Sequence, residues 1–319
     1  MAGAEPFPDE AWDAALLELG GHFLQSAAWL RVQRGLGYRV LWARGEGWQW
    51  AGALRSGRFP RYLYIPYGPA SRDRTDVALA DAARAGAAAA LDFVRVEPTG
   101  EDAHGALQAR GARAGRAVQP RHTWILDLGA SIETLRHGMA EGHRSAINAA
   151  PRRGISIRST TDPASVEIFL ELQRRASVRS GFEGQGGHYL RTLAGVLMPA
   201  GHATLYLAEA GGSPVAASLC FDFGATRYYA YAVSDPDRGR KLGTGPPLVW
   251  QMILDARERG AAAFDFWGVL AKPDRAHPWS GFTQFKRGFG GRLLEHSGTW
   301  ELPLRTLRYR GYRALQRMR

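Results

Sequence analysis

The sequence has a single cysteine, Cys220, among its 319 residues. One thiol can form neither a disulfide within the chain nor a cysteine-based zinc site, so both classes of cross-link are excluded. The neighbours of this cysteine, "ASLCFDF", have the pattern of a β-strand. A small buried side chain is therefore favoured over a reactive thiol.

Signals for secretion, membrane insertion and several common chemistries are also missing. The N-terminus "MAGAEPFPDEAWD" is acidic and carries prolines, unlike a signal peptide, and no apolar run approaches the roughly 20 residues that span a bilayer. We therefore expect a soluble, cytoplasmic protein, with peripheral membrane association left open. The sequence contains no G-x-S-x-G elbow, Walker loop or H-E-x-x-H motif, and its nine histidines lack metal-ligand spacing. No metal site is predicted.

Lysine is scarce, with only Lys241, Lys272 and Lys286, yet the chain is strongly basic. Arginine brings the total of Lys and Arg to 41 against 30 Asp and Glu, a net charge of +11. This surplus favours polyanionic partners, and nucleic acid, a phosphorylated substrate and an anionic membrane all qualify. An apolar fraction of 45% indicates a folded chain, long enough for two cores or one large one.

An internal repeat organises the chain. The first half runs "YRVLWARGEGWQWAGALR", "RYLYIPYGP" and "TDVALADAARAGAAAALDFVRVEP", and the second runs "ATLYLAEAGGSPVAASLCFDF", "TRYYAYAVSD" and "GPPLVWQMILDARERGAAAFDFWGV". Each copy predicts two alternating strands, a Tyr-rich strand, a helix and a closing strand that contains Asp92-Phe93 or Asp265-Phe266. The pattern predicts a mixed α/β (α+β) fold of two similar units with mixed sheets. Such tandem units place a cleft between them, where binding sites are common.

Four helices follow from periodicity and cap residues. They are predicted at 76–86, from Ser131 towards Asn148, at about 164–179, and after Thr244 as N-cap, ending at Gly260. The last helix has two prolines in its first turn, a favourable place for proline.

The loop before that last helix, "RKLGTG" (residues 240–245), fits the pattern R-x-x-G-x-G. Such a loop can offer backbone N–H groups and a helix N-terminus to a pyrophosphate such as that of coenzyme A. A solvated turn before a helix explains the same letters equally well. Pro246 and Pro247 remove two N–H donors from the place where a pyrophosphate needs them, which disfavours coenzyme A.

An ordered set of segments resembles the FemABX family of peptidyltransferases, over most of the chain. The segments are "TWILDL" (123–128), "GHRSAINAAPRRGISI" (142–157), "RRASVRSGFEGQGGHYLRTL" (174–193), "YYAYAVSD" (228–235), "GAAAFDFWGV" (260–269) and "GFTQFKRGFGG" (281–291). The resemblance implies two N-acetyltransferase-like (GNAT-like) units in tandem. We place them at residues 1–125, completed by 303–319, and at 126–302.

The resemblance also implies an activity: transfer of an amino acid from aminoacyl-tRNA to an amine of a peptidoglycan precursor, forming an amide. The aminoacyl ester supplies the energy, so no cofactor is expected beyond aminoacyl-tRNA as co-substrate. Two other hypotheses stay open: an N-acyltransferase that uses acyl-CoA bound by the 240–245 loop, and a basic module without catalytic activity that binds RNA or membrane.

The family's Phe-Lys pair corresponds to Phe285 and Lys286, with Gly290 and Gly291 expected to turn the chain against it. A fixed cation can stabilise the negative charge that develops on an ester carbonyl during attack by an amine. The resemblance therefore makes Lys286 the first catalytic candidate and Phe285 a substrate contact. Arg287 is expected to point away into solvent. The cations grouped as candidates for tRNA or phosphate contact are Arg240, Lys241 and Arg287.

Two further residues occupy positions that the family uses. Glu97, in "VRVEP", stands where members often have an acidic residue, and a carboxylate there could orient or deprotonate the attacking amine. The alternative is an exposed carboxylate that pairs with Arg95. Tyr231, in the Tyr-rich strand, is either a substrate contact or a core aromatic.

The departures from the family concern the acceptor. Members that bind nucleotide-linked precursors carry a lysine where this chain has Gln33, beside Arg34, and an arginine where it has Gln185, with Arg179 just before. Arg34, Arg179 and Gln185 stay candidates for substrate binding. The loss of two cations suggests an acceptor that is lipid-linked, or a small amine-bearing metabolite.

The basic tail "LPLRTLRYRGYRALQRMR" (302–319) contains six arginines and no acidic residue, with Leu304, Leu307, Leu315 and Met318 interleaved. It is predicted to form an amphipathic basic helix. The helix is expected to contact tRNA or a membrane, or to pack its leucines on the first unit and leave its arginines in solvent.

Overall fold

The structure, a computed structural model, describes residues 6–57, 59–99, 103–180 and 184–317. The helices are α1 Glu10–Glu18, α2 Ala27–Gly35, α3 Thr75–Ala88, α4 Ala103–Ala109, α5 Ile132–His137, α6 Glu141–Ala149, α7 Val166–Ser180, α8 Gly187–Leu197, α9 Gly239–Leu242, α10 Gly245–Glu258, α11 Ser280–Arg287 and α12 Thr306–Arg317. The strands are β1 Val40–Gly45, β2 Trp48–Ser56, β3 Arg61–Ile65, β4 Ala70–Ser71, β5 Phe93–Val96, β6 Arg113–Ala114, β7 His122–Asp127, β8 Ile155–Thr160, β9 Ala203–Ala210, β10 Ser213–Phe223, β11 Thr226–Ser234, β12 Ala263–Gly268, β13 Arg292–Glu295 and β14 Trp300–Pro303.

The chain divides into two units. Unit 1 comprises Met1–Arg121 and Glu295–Arg319, and unit 2 comprises His122–Leu294. The chain therefore leaves unit 1, builds unit 2 and returns to unit 1 with its last strand and helix. The domain limits predicted at residues 125 and 302, and the predicted cleft, stay predictions.

Unit 1 is built on a mixed sheet in the order β1-β2-β3-β5-β14-β6, with β4 beside β2. Strands β1, β2 and β3 are antiparallel, β5 runs parallel to β3, and β14 runs antiparallel to β5. Helix α3 connects the parallel pair β3 and β5, as a crossover between parallel strands requires. It packs Leu79 and Ala82 into a core with Leu63 and Val94.

Unit 2 has the order β13-β7-β12-β11-β10-β9-β8. Its strands β9, β10 and β11 are antiparallel, β12 is parallel to β11, and β7 is antiparallel to β12. Helix α10 makes the crossover and places Leu248, Met252 and Ile253 in the core. The order of strands and their directions match those of β1, β2, β3, β5 and β14, so the repeat seen in the sequence is a repeat of topology.

Two predicted helices differ from the structure in ways that have local causes. The helix expected from Ser131 to Asn148 is interrupted between α5 and α6, where the N–H of Ala140 donates to Gly288 O at 2.8 Å. Thr244 precedes α10 as expected, but its hydroxyl donates to Gly239 O at 3.1 Å instead of capping the helix. Helix α3 extends the predicted range by one residue at its start and two at its end, whereas α7 begins two residues later than predicted and ends one residue later. Gly260 lies after the end of α10 with φ of +80°.

Across the residues that the structure describes, no helix is both long enough and apolar enough to cross a membrane.

Candidate active site around Lys286

Lys286 lies in the last turn of α11 and is almost buried, with 8% of its surface exposed. Its ammonium donates to Gly268 O at 2.7 Å. The same nitrogen lies 5.5 Å from the ring centroid of Phe282 and 5.9 Å from that of Tyr229. Aromatic faces at these distances attract a cation. Phe282, one turn before the lysine, and Tyr229 of β11 therefore both help to hold the ammonium.

The end of β12 is shaped to receive the ammonium. Pairing of β12 with β7 is irregular between Asp265 and Gly268, and Trp267 between them has a φ of +61°. The N–H of Trp267 donates to Asp265 Oδ1 at 2.6 Å. A bulge redirects backbone groups out of the ladder, and a bulky residue at positive φ is a strained conformation of the kind that recurs at functional sites. The irregularity lies where the strand meets Lys286.

Lys286 and Asp265 shift each other's protonation. Burial lowers the pKa of Lys286 to about 8, and the charge of Asp265 opposes that shift. Burial raises the pKa of Asp265 to about 7, against the opposing effects of the Trp267 N–H and the charge of Lys286. Burial also raises the pKa of Tyr229 to about 12, so this phenol stays neutral at physiological pH. Paired groups whose pKa values lie near neutrality are typical of sites that act on protons or charge.

Asp265 is the residue of this site that the sequence analysis did not single out as functional. The signal was present, because Asp265-Phe266 is the pair that repeats Asp92-Phe93. In the sequence, however, that pair indicates only the alignment of the two copies of the repeat.

The two glycines after α11 bring the chain close to β7. Gly290 and Gly291 have φ of +82° and +98°, the left-handed region that favours glycine. A Cβ built on Gly291 would lie 2.3 Å from Ile125 O, and Trp124 Nε1 donates to Gly290 O at 2.6 Å. The turn predicted for this pair is present, and it fixes the end of α11 against the sheet.

Phe285 packs inside unit 2, beside the start of α10. A Cβ on Gly245 would lie 3.1 Å from Phe285 Cε2, and the Phe285 ring lies 5.2 Å from that of His143. His143 Nε2 is 2.9 Å from Phe285 O, which makes this nitrogen the donor. Burial lowers the pKa of His143, and the bond to Phe285 O partly offsets the shift. His143 thus helps to hold the turn of α11 that carries Lys286.

The prediction that Arg287 points into solvent is wrong. Its guanidinium donates to Leu270 O at 2.8 Å and to Ala271 O at 2.9 Å, and lies 4.8 Å from the ring of Trp124. Arg287 therefore ties the segment after β12 to α11, because its fork of donors spans two successive carbonyls. Its predicted contact with tRNA or phosphate stays a prediction that would compete with these bonds.

The loop 240–245 uses its own backbone donors. The N–H of Gly243 donates to Arg240 O at 3.1 Å, and that of Thr244 donates to Gly239 O at 3.2 Å. Arg153 Nη1 donates to Leu242 O at 2.9 Å. The side chains of Arg240 and Lys241 are exposed. The N–H groups of Gly243 and Thr244 are therefore already hydrogen-bonded, and fewer donors are available to bind a pyrophosphate than the sequence pattern predicts.

Tyr231, Arg179 and Gln185, the remaining candidates of unit 2, have hydrogen-bond or ion-pair partners other than the residues around Lys286. Tyr231 shares a hydrogen bond of 2.8 Å with the hydroxyl of Tyr189, and burial raises its pKa well above the usual value. Arg179 forms an ion pair of 2.6 Å with Asp237. Gln185 is exposed and accepts a hydrogen bond at its backbone oxygen. Residues 181–183 of the same segment lie outside the described residues.

Glu97 belongs to unit 1 and is 2% exposed, so the alternative of an exposed carboxylate is wrong. Its Oε2 accepts from the hydroxyl of Tyr64 at 2.5 Å, and its Oε1 accepts from the hydroxyl of Thr299 at 2.6 Å. The N–H groups of Val118 and Gln119 donate to the same Oε1 at 3.2 and 3.0 Å. A carboxylate engaged by four donors is arranged to hold loops together.

Arg95 and Arg34, two arginines of unit 1, have partners other than Glu97. Arg95 does not pair with Glu97: its Nη2 lies 2.5 Å from Glu301 Oε1, in a buried ion pair. Arg34 is exposed, and its guanidinium lies 4.7 Å from the ring centroid of Phe7. Its role in binding a substrate stays a prediction.

In the part of the chain that the structure describes, no group of three or more His, Cys, Asp or Glu side chains is placed to hold a metal ion.

Comparison with known proteins identifies the fold. The model of the acetyltransferase (GNAT) domain matches residues 138–287, which include Asp265, Lys286 and the 240–245 loop. A solved structure described as FemX superposes with a TM-score of 0.78 at 19% identity, covering 91% of this chain and 94% of that one. A tandem GNAT protein from the clavulanic acid biosynthesis pathway gives 0.54 at 16% identity, covering 84% and 83%. The predicted fold of two GNAT-like units with mixed sheets is confirmed.

The curated proteins include a more specific relative. Lipid II:glycine glycyltransferase of Staphylococcus epidermidis is 21% identical over 248 residues. The match covers 59% of this chain and 59% of the relative, so the chain matches less than two thirds of that protein's length. Together with the FemX structure, this relative supports the resemblance to Fem-type transferases.

Proposed function

We propose that the protein is an aminoacyltransferase, which moves an aminoacyl group from aminoacyl-tRNA to an amine of a peptidoglycan precursor. The observation that carries the proposal is the buried ammonium of Lys286, held between two aromatic rings beside Asp265 and the bulged end of β12. Similarity to a lipid II:glycine glycyltransferase supports the type of reaction and the class of acceptor.

In the proposed step, the acceptor amine attacks the carbonyl carbon of the aminoacyl ester. A C–N bond forms, the C–O bond to the ribose breaks, and the proton that the amine loses ends on the ribose hydroxyl. Negative charge develops on the carbonyl oxygen meanwhile, and a preorganised cation in a dry site stabilises it strongly. Lys286 supplies that cation, and its ammonium has three N–H donors, one of which the bond to Gly268 O fixes.

Asp265 acts through Lys286 in this proposal. Its charge raises the pKa of a lysine that burial would otherwise leave more readily neutral. Asp265 is therefore a positioning residue that keeps the ammonium charged near neutral pH, and Phe285 and Tyr231 stay proposed contacts for the substrates.

The state of the 240–245 loop favours tRNA over acyl-CoA as donor. Two of its N–H groups donate to the carbonyls of Gly239 and Arg240, the two prolines that follow have none, and the Phe285 ring packs on Gly245. Pyrophosphate binding at a helix N-terminus depends on free N–H groups. Arg240 and Lys241 remain exposed and suit the backbone of a tRNA, whose phosphates are contacted by flexible cations.

The acceptor is proposed to be lipid-linked, not nucleotide-linked. The resemblance implies that Gln33 and Gln185 replace cations that meet a nucleotide's phosphates in other members, and Arg179 is already paired with Asp237. A small amine-bearing metabolite is the competing acceptor, and Arg34 is the remaining cation for either.

The test supplies purified protein with labelled aminoacyl-tRNAs or labelled acetyl-CoA, together with lipid-linked precursor, nucleotide-linked precursor or a pool of small amines. We expect label to pass from tRNA into an RNase-resistant amide on the lipid-linked precursor. Lys286→Ala should abolish this transfer, while Lys272→Ala, at an exposed lysine of the same unit, should not change it. Transfer from acetyl-CoA alone would overturn the proposal in favour of the acyl-CoA hypothesis.

A further inference from the structure

The C-terminal helix α12 packs on unit 1 through tyrosines. Tyr309 and Tyr312 are its buried residues, with ring centroids 5.6 and 5.0 Å from that of Phe93. The hydroxyl of Tyr309 donates to Glu301 Oε2 at 2.9 Å, and Arg95 donates to the hydroxyl of Tyr312 at 2.7 Å. The inner face is therefore aromatic and hydrogen-bonded. The alternative that this helix packs its leucines on unit 1 is wrong, apart from Leu304 before its start, which packs on the core.

The leucines of the helix itself are on its outer face. Leu307 is 82% exposed and Leu315 is 53% exposed. They lie about two turns apart on one side, and the exposed Gly311 and Ala314 lie between them. This stripe, defined by these four residues, is apolar and faces solvent. Met318, the next position in the predicted stripe, lies outside the described residues.

Positive charge accompanies the stripe. Arg310 and Arg317 are exposed along one flank, and Arg305 is exposed just before the helix. The segment 302–319 contains no acidic residue. Two other arginines are engaged inward: Arg308 pairs with Asp92, and Arg313 donates to Ala114 O. The outer side of the helix thus presents leucines and the exposed arginines Arg310 and Arg317. The hydrogen bonds of Tyr309 and Tyr312 lie on the inner side.

We propose that the outer face of α12 docks on an anionic membrane surface, with Leu307 and Leu315 entering the acyl boundary and Arg310 and Arg317 among the lipid phosphates. An interfacial helix gains from both apolar burial and attraction to anionic lipid, the two properties that this face combines. The inference goes beyond the proposed function, since it requires no particular donor. For a lipid-linked acceptor, such docking would hold the enzyme at the surface that contains its substrate.

RNA fits this face less well, although the tail arginines are compatible with either polyanion. Proteins that bind single-stranded RNA combine cations with aromatic rings on which bases stack. The aromatic rings of α12, Tyr309 and Tyr312, are buried and bonded to unit 1. The exposed apolar side chains are Leu307 and Leu315, which add nothing to a phosphate contact. The charge suits both partners, and the leucines select the membrane.

The test is sedimentation of the full-length protein with vesicles of phosphatidylcholine, with or without about one third phosphatidylglycerol. We expect binding to the anionic vesicles that weakens as salt is added. The double variant Leu307→Gln/Leu315→Gln should weaken binding about tenfold, because the apolar contribution is lost. Arg310→Gln/Arg317→Gln should weaken it about 25-fold, at roughly fivefold for each cation near an anionic surface.

Matched controls come from exposed residues elsewhere. Val178→Gln removes an aliphatic side chain that is 80% exposed on α7, and Arg44→Gln removes an exposed arginine at the end of β1. Both should bind vesicles as the wild type does, and thermal unfolding should be unchanged in every variant because no buried contact is altered. The inference would be overturned if the wild-type protein did not bind anionic vesicles, or if the leucine variants bound them like the wild type.

If the protein bound tRNA regardless of the leucine substitutions and did not bind vesicles, the outer face of α12 would be assigned to RNA. A failure of aminoacyl transfer would leave vesicle binding unaffected, so the two proposals can fail separately.

Discussion

Asp92 in unit 1 and Asp265 in unit 2 are repeat-related aspartates at the closing strands β5 and β12, and the structure treats them differently. Each carboxylate lies near a cation from a later helix. Asp92 Oδ1 accepts from Arg308 Nε at 2.5 Å and its Oδ2 accepts from the N–H of Arg61 at 2.8 Å. Asp265 accepts from the N–H of Trp267 and interacts with the charge of Lys286.

The pKa values of the two aspartates shift in opposite directions. Burial tends to raise the pKa of Asp92, but the hydrogen bonds from Arg308 and Arg61 and nearby positive charge outweigh it and hold the pKa below its usual value. For Asp265, burial outweighs the same kinds of bond, and the pKa rises to about 7. An arginine stays charged at any physiological pH, whereas a buried lysine shifts readily. The pair in unit 1, Asp92 and Arg308, thus stays charged at physiological pH. The pair in unit 2, Asp265 and Lys286, has pKa values near neutrality, and we call it the tuned pair because its protonation can change.

The largest expected effect comes from breaking the tuned pair. Lys286→Ala should lower the rate of aminoacyl transfer by about 100- to 1000-fold, the loss typical of removing one oxyanion-stabilising donor. The measurement is single-turnover transfer from labelled aminoacyl-tRNA, with circular dichroism to establish that the protein is folded. Arg308→Ala, the corresponding change in unit 1, is the matched control and should leave the rate for folded protein within about twofold. Equal losses in the two variants would contradict the division of roles between the units.

The pH profile tests whether Asp265 acts through Lys286. Transfer needs the ammonium, so the rate should fall as pH rises through the pKa of Lys286, about 8. Asp265→Asn removes the negative charge that raises this pKa, so the alkaline limb should move to lower pH, with about a tenfold loss of rate at pH 8. Tyr229, with its pKa near 12, does not titrate in this range.

Lys286→Arg separates charge from position in the same profile. Arginine stays protonated, so any activity that the variant retains should lack the alkaline limb. An unchanged limb in both variants would show that another group titrates there, and Asp265 would lose its assigned role.

The pair of Asp92 and Arg308 should matter for stability. Asp92→Asn should lower the free energy of unfolding by about 1–3 kcal/mol near neutral pH, because the buried carboxylate loses its charged hydrogen bond from the half-exposed Arg308. A carboxyl whose folded pKa is depressed stabilises the protein above its unfolded pKa of about 4, and the contribution disappears as pH falls through the folded value. The difference between wild type and variant, measured by urea unfolding, should therefore shrink below about pH 4. A difference that is constant with pH would mean that the ion pair is not its cause.

The parts of the structure that could be predicted from sequence are those that local patterns determine. Strand alternation and the recurring Asp-Phe pair predicted two similar mixed sheets, and both are present. Gly290 and Gly291 predicted a close turn because only glycine adopts their backbone conformation cheaply.

The errors concern side chains whose partners are distant in sequence. One of the two alternatives for Glu97 was an exposed carboxylate, yet the side chain is buried and accepts from Thr299, a residue of the returning C-terminal segment. The direction of Arg287 depends on the carbonyls of Leu270 and Ala271, in the segment after β12. Leucines were one alternative for the inward side of α12 because burial favours aliphatic residues, but Glu301 and Arg95 in the sheet bond to tyrosine hydroxyls instead. No local pattern contains these partners.

The smallest expected effect tests whether unit 1 contributes chemistry at all. Glu97→Gln keeps the size of the side chain and its acceptor oxygen but removes the charge that receives the hydroxyls of Tyr64 and Thr299, so we expect a loss of about 1 kcal/mol in the free energy of unfolding. Tyr64→Phe removes one of the same bonds and should cost a similar amount. Both variants should transfer aminoacyl groups within about twofold of the wild-type rate when corrected for the folded fraction.

A loss of 100-fold or more in Glu97→Gln alone, with Tyr64→Phe active, would mean that the carboxylate takes the proton of the attacking amine. Unit 1 would then supply a catalytic base of its own, and the contrast between a structural and a chemical copy of the repeat would no longer hold.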